Sequence, residues 1–189
     1  MKGNKLLMIV DPQNDFITGS LPVKGAEEAM NSLAEYLHRS AYEYVHIIVT
    51  ADRHPFNHCS FKPNGGEWQL HCVEDSVGAA IFPAVMDELI SYSDKVTILY
   101  KGEKSDREEY SIFKNEDASR EIFEIIESKH IEQIDICGIA GDICVAATIQ
   151  DGIRCLGETK FHILNRFTAS IDGGETLEEL SHYLTETFV

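Results

Sequence analysis

Residues 134–145 read IDICGIAGDICV: an apolar run, Ile134–Ala140, passes through Gly141 and Asp142 and delivers Cys144 to the start of a helix. A short run of this kind, rich in β-branched residues and punctuated by glycine, has the pattern of a strand covered on both faces. Four more runs of the same character lie at Leu6–Val10, His46–Thr50, Val96–Tyr100 and Phe161–Leu164. Helical patterns fall between them. Ala26, Ala29, Met30, Leu33, Ala34 and Leu37 recur at helical spacing and share one face. Ala118, Ile122, Ile125 and Ile126 form a second stripe, and Leu177, Leu180 and Leu184 a third, opened by the capping box Thr176-x-x-Glu179. Strands alternating with helices predict parallel βαβ units. The expected fold is α/β, a single three-layer α/β/α domain over residues 1–189 with a mainly parallel central sheet of five or six strands.

Composition narrows the function. Of 189 residues, 32 are acidic and 16 basic, for a net charge of −16, and 43% are hydrophobic. Such a charge repels phosphate backbones and anionic lipid, so neither nucleic acid nor a membrane surface is the expected partner. A small neutral or cationic molecule, or another protein, fits better, and the composition leaves room for a homo-oligomer. The five cysteines are odd in number and follow no C-x-x-C spacing, which predicts reduced thiols in a cytoplasmic protein. The apolar run in residues 1–10 meets Asp11 and Pro12 too early for a signal h-region or a membrane span.

Two long connections, 53–84 and 102–116, and a shorter one, 12–24, all leave the carboxyl ends of strands. Long structureless loops are uncommon without a task, and in open parallel sheets ligands bind at that edge. The strand ends carry Asp11, Asp52, Lys101 and Cys144. Taken singly, Asp11 before Pro12 reads as a turn residue, Lys101 as a solvated charge and Cys144 as a small buried hydrophobe. Together they make a base, a cation and a nucleophile. With Asp142 as N-cap, Cys144 falls in the first helical turn, where free N–H groups and the helix dipole favour a thiolate and could hold an oxyanion.

A second constellation follows the second strand. Asp52, His54, His58 and His71 bring one carboxylate and three imidazoles within 20 residues, an ordinary donor set for zinc, iron or manganese. Solvated loop histidines are the bland alternative. Cys59 and Cys72 adjoin these histidines but are expected to point away from them, as packing residues, because neighbours on an extended segment face opposite sides.

The blocks Ile9-Val-Asp11-Pro-Gln-Asn-Asp15-Phe16, Thr50-Ala-Asp52-Arg-His54-Pro, His58-Cys-Ser-Phe61, Trp68-Gln-Leu-His71-Cys-Val, Tyr100-Lys101-Gly102 and Gly138-Ile-Ala-Gly-Asp142-Ile-Cys144-Val resemble, in order, those of the isochorismatase-like cysteine hydrolases, and among these the nicotinamidases. The resemblance spans about residues 5–172. It implies a metal-containing amidohydrolase that converts nicotinamide to nicotinate and ammonia in NAD salvage. It implies Asp11, Lys101 and Cys144 as catalytic residues, Ala140 and Cys144 as the oxyanion hole, and a cis peptide between Ile139 and Ala140. Asp52, His54 and His71 would hold one divalent ion, zinc before iron or manganese, with His58 a further ligand in some members. Phe16 and Trp68 would flank the substrate ring. Three departures bear on the shape of that pocket: Gly141 stands where Thr is common, Arg53 replaces a frequent aromatic, and no proline follows Trp68. The alternatives are another amide or ureido hydrolase of the superfamily, or a catalytically silent metal- or pyridine-binding homologue. A dinucleotide-dependent oxidoreductase is disfavoured, because Asp11-Pro-Gln-Asn stands where G-x-G-x-x-G would follow the first strand.

Overall fold

A computed structural model describes residues 4–156 and 160–187. Its centre is a five-stranded sheet of β1 (Asn4–Val10), β2 (His46–Asp52), β3 (Val96–Lys101), β4 (Ile131–Ile139) and β5 (Lys160–Ala169). All pairings are parallel and the spatial order is β3-β2-β1-β4-β5. Five strands are therefore present, and β5 runs well past the Phe161–Leu164 segment that apolarity marks, because Asn165 and Arg166 interrupt the apolar pattern without interrupting the strand.

The helices are α1 (Asn14–Ile17), α2 (Ala26–Ser40), α3 (Pro83–Ile90), α4 (Glu116–Ser128), α5 (Ala146–Leu156) and α6 (Glu175–Thr187). Alternation along the strands sorts the core into two halves. Leu7 and Ile9 of β1 and Cys137 and Ile139 of β4 pack with Met30, Leu33 and Leu37 of α2 and Val85 and Leu89 of α3. Leu6, Met8 and Val10, with Ile134 and Ile136, face Ile122 and Ile125 of α4, Ile149 of α5 and Leu177 and Leu184 of α6. Period-2 strands buried on both sides thus produce the three layers. The order of strands reverses direction at β1, between β2 on one side and β4 on the other, so the crevice beyond their carboxyl ends is the switch point where an open α/β sheet binds ligand. Among the described residues, no helix is long and apolar enough to cross a membrane.

Two capping expectations fail. The α6 helix begins at Glu175, and the Asp172 carboxylate, not Thr176, accepts the N–H groups of Gly174 at 2.8 Å and Thr176 at 2.9 Å. Asp142 does not cap the helix of Cys144 either: its carboxylate accepts the N–H groups of Ile171 and Asp172, at 2.9 and 3.1 Å, and so ties β4 to the loop after β5. An Asp a few residues before a helix serves whichever orphan donors come nearest, and for Asp142 those belong to another segment.

Candidate active site

Beyond β1 the chain turns sharply at Asp11, whose φ of 47° lies in the left-handed region. Thr50 of β2 holds it there: the Asp11 N–H donates to the Thr50 carbonyl at 3.1 Å and the Thr50 hydroxyl donates to Asp11 Oδ1 at 2.6 Å. Gln13, fully buried, fixes the neighbouring strand end, donating from Nε2 to the Asp52 carbonyl at 2.7 Å and accepting the Asp52 N–H at 2.8 Å. Lys101, at the end of β3, lies 2.9 Å from Asp11 and 2.5 Å from Asp52, and its ammonium donates to Cys144 Sγ at 3.6 Å. One carboxylate oxygen from each of Asp11 and Asp52 and the Cys144 sulfur lie within 4.8 Å of one another. Four strands therefore bring the expected base, cation and nucleophile into one cluster.

Burial governs the protonation of these groups. It pushes the Asp11 carboxyl above the usual carboxylate range, with Asp52 adding to the effect and Lys101 opposing it. It also pushes the Cys144 thiol up, and the Lys101 charge does not reverse that. The helix-dipole expectation for Cys144 is thereby corrected: residues 141–145 form a single wide turn before α5 rather than an ordinary capped first turn, and the resting side chain is a thiol that needs a base. For Lys101, burial opposes the charge, but the two carboxylates outweigh it and hold the ammonium.

Next to this cluster stands the donor set Asp52, His54 and His71, one ligand atom from each within 4.8 Å of the others. A carbonyl can only accept, so His54 Nδ1 donates to Gly102 O at 2.9 Å and His71 Nδ1 donates to Gln69 O at 2.8 Å. Their Nε2 atoms carry lone pairs, and buried His54 Nε2 has no hydrogen-bond partner although Asp52 Oδ2 is 3.6 Å away. Asp52 remains ionised: burial raises its pKa, but the adjoining Lys101 charge outweighs burial and brings it below the carboxylate range. Lys101 is the only buried lysine or arginine among the described residues, while Asp11, Asp52 and Glu109 are all buried in this part of the fold. An orphaned imidazole nitrogen and a surplus of buried negative charge both fit a divalent cation. His58 stands apart from the set. Its Nε2 donates to the Arg107 carbonyl at 2.9 Å and its Nδ1 accepts from the Ser60 hydroxyl at 2.7 Å, so both nitrogens are engaged while the ring stacks on His54.

Phe16, Trp68, His71, Ala140 and Cys144 line one cavity of about 240 Å³ at this edge. Leu21, Val23, Ile143 and Ile171 supply more apolar wall, and Glu108 and Tyr110 close one side, with Trp68 Nε1 donating to the Tyr110 hydroxyl at 3.0 Å. Tyr110 and Glu108 sit in the 102–116 connection. Loop length marks that segment, but nothing in its sequence singles out these two residues. The peptide bond between Ile139 and Ala140 is cis, as the resemblance implies. Gly141 is explained by its neighbours, since a Cβ there would fall on Ser170 Oγ and the Leu177 side chain. All five cysteines are free. Cys72 and Cys137 pack in the core, Cys59 is half-buried, and Cys155 is exposed rather than packed.

The isochorismatase-domain family model matches residues 5–154. This chain belongs to the isochorismatase family. Among its relatives is the nicotinamidase/pyrazinamidase of Mycobacterium tuberculosis, 31% identical over 186 residues that make up 96% of this chain and 95% of that one. The yeast nicotinamidase bound to the inhibitor nicotinaldehyde superposes with a TM-score of 0.83 at 28% identity, covering 96% of both chains. A pyrazinamidase of Pyrococcus horikoshii in complex with zinc gives 0.80 at 29% identity, covering 95% of each. The isochorismatase fold thus accounts for the parallel sheet at whose carboxyl edge the cluster lies.

Proposed function

We propose that the protein is a nicotinamidase, hydrolysing the carboxamide of nicotinamide to nicotinate and ammonia and so serving NAD salvage. The observation that carries this reading is that Cys144, with Lys101 and Asp11 packed behind it, lines a small apolar cavity that also opens on Asp52 and His71. At about 240 Å³ the cavity falls below the roughly 300–1,000 Å³ of drug-sized sites and suits a single ring. Phe16 and Trp68 offer that ring aromatic walls.

Asp11 takes the Cys144 proton, a transfer made feasible by its raised pKa, and the thiolate attacks the carboxamide carbon. The oxyanion is held by the N–H groups of Ala140 and Cys144. Asp11 returns the proton to the amide nitrogen, ammonia leaves, and a thioester to Cys144 remains. Asp11 then deprotonates water, which attacks the thioester; nicotinate departs and the thiol is regenerated. Lys101 holds the Asp11 carboxylate in place and balances its charge throughout. Asp52, His54 and His71 would hold one divalent ion, zinc by the nature of the donors, and such an ion would anchor the pyridine nitrogen directly or through water.

Ammonia release from nicotinamide by the purified protein tests the proposal. Metal-replete protein should turn over, chelator should suppress turnover, and Cys144→Ala should abolish it. No release from metal-replete protein would sink the function, and a fully active Cys144→Ala would sink the mechanism.

A further inference from the structure

Glu109 is 2% exposed, although it lies in a loop and no role for it follows from the sequence. A buried carboxylate is costly unless something offsets its charge. Its Oε2 accepts the Gly102 N–H at 3.0 Å, and its Oε1 is 3.9 Å from the half-exposed Arg107 guanidinium. Gly102 in turn accepts the Nδ1–H of His54 on its carbonyl at 2.9 Å. The glycine also has a φ of 70° and packs so closely on His54 that a Cβ would land on the imidazole. Glu109 therefore fixes the residue whose carbonyl holds His54 Nδ1, on the side of the ring opposite its unpartnered Nε2.

We propose that Glu109 is a positioning residue for the divalent ion, acting through Gly102 and His54. Metal-bound histidines owe much of their affinity to the acceptor on their other nitrogen, and here that acceptor is itself held by a buried anion. The negative charge of Glu109 adds to the surplus left by Asp11 and Asp52 over Lys101. The carboxylate thus opposes folding of the metal-free chain and favours the ion once bound. The same contact closes the loop between Gly102 and Glu109 and so places Glu108 and Tyr110, which line the cavity.

The inference rests on the metal reading above, and a zinc titration of the full-length protein separates the two. Zinc Kd, by competition with a chromophoric chelator, and Tm with and without zinc are measured for wild type, Glu109→Gln and Glu109→Ala. Wild-type zinc binding and nicotinamide turnover report on the parent reading alone. Glu109→Gln, which keeps an acceptor of the same shape, should weaken zinc about tenfold and shrink the zinc-induced rise in Tm, while the metal-free Tm stays at or above wild type. Glu109→Ala should weaken zinc by up to about 100-fold. Wild-type zinc affinity in Glu109→Gln would overturn the proposal, as would a metal-free Tm lowered as much as the zinc-loaded one, because a merely structural residue lowers both.

Discussion

Replacing Lys101 by Met tests the charge arrangement of the site. The ammonium lies 2.9 Å from Asp11 and 2.5 Å from Asp52, with all three side chains buried. At an effective dielectric constant near 20 each contact represents about 6 kcal/mol of attraction. Most of that is offset by the desolvation of the ions. Removing one partner of a buried pair nevertheless costs about 3–5 kcal/mol, because the other charge is left without compensation. Two carboxylates lose their partner here, so a loss near 4–5 kcal/mol is expected in metal-free protein, a large share of the roughly 5–15 kcal/mol that stabilises a typical protein. With a urea m-value of about 2–3 kcal/mol per molar, the unfolding midpoint should fall by about 1.3–2.5 M in chelator. Zinc should restore part of the loss, since it would offer Asp52 a cation in place of Lys101. Circular dichroism during urea titration, with chelator and with zinc, reads both quantities, and turnover should be abolished in either condition. A midpoint shift below about 0.3 M in chelator would show that Lys101 does not hold the buried carboxylates together, and the charge balance proposed for the site would fail with it.

Other substitutions address other parts of the molecule. Gly138 has a φ of 131° and a Cβ there would strike the Val10 backbone, so Gly138→Ala should lose about 3 kcal/mol in urea unfolding. Trp68→Ala should raise the KM for nicotinamide about tenfold with a smaller effect on kcat, because it removes a cavity wall and leaves the Asp11–Lys101–Cys144 cluster intact. Asp135, within β4, is 3% exposed and accepts from Tyr44 at 2.8 Å, Lys5 at 3.3 Å, His162 at 3.1 Å and Gln133. Burial raises its pKa, but these partners outweigh burial and hold it below the usual value. A carboxyl depressed in the folded state stabilises above its unfolded pKa of about 3.9 and loses that contribution as pH falls through its lower folded value. Asp135→Asn should therefore flatten the acid side of the stability profile below about pH 4, read as Tm against pH.

The sheet is legible in the sequence because parallel strands buried on both faces leave uninterrupted apolar runs, as Leu6–Val10 does, whereas β5 outruns its apolar signal where Asn165 and Arg166 stand among its residues. The strand ends are legible for the same reason: once the runs are placed, Asp11, Asp52, Lys101 and Cys144 must share an edge. Loop geometry is not. Nothing in the local spacing of His58 distinguishes it from His71, yet one ring is saturated by Ser60 and Arg107 and the other keeps a free nitrogen. Nor does local sequence show that Asp142 serves donors 29 and 30 residues away, or that Glu109 is buried in a loop rich in charge. Long-range hydrogen bonds from short polar side chains carry no periodicity, so only the folded chain reveals them.

The two constellations that the sequence presents separately are one electrostatic unit. Asp52 belongs to both: one oxygen meets the Lys101 ammonium at 2.5 Å, and the other faces His54 Nε2 at 3.6 Å. Gln13 pins the Asp52 backbone from the loop that begins at Asp11, so the proposed base and the donor set share a rigid support as well as a charge. Any cation bound at His54 and His71 must then draw on the carboxylate that also steadies Lys101, and Lys101 in turn steadies Asp11 and touches Cys144. The proposed ion therefore does more than seat a ring. An ion held there would compete for Asp52 and so would leave Lys101 more strongly committed to Asp11 and the Cys144 sulfur. Metal loss should accordingly lower kcat as well as raise KM, whereas loss of a ring wall such as Trp68 falls chiefly on KM.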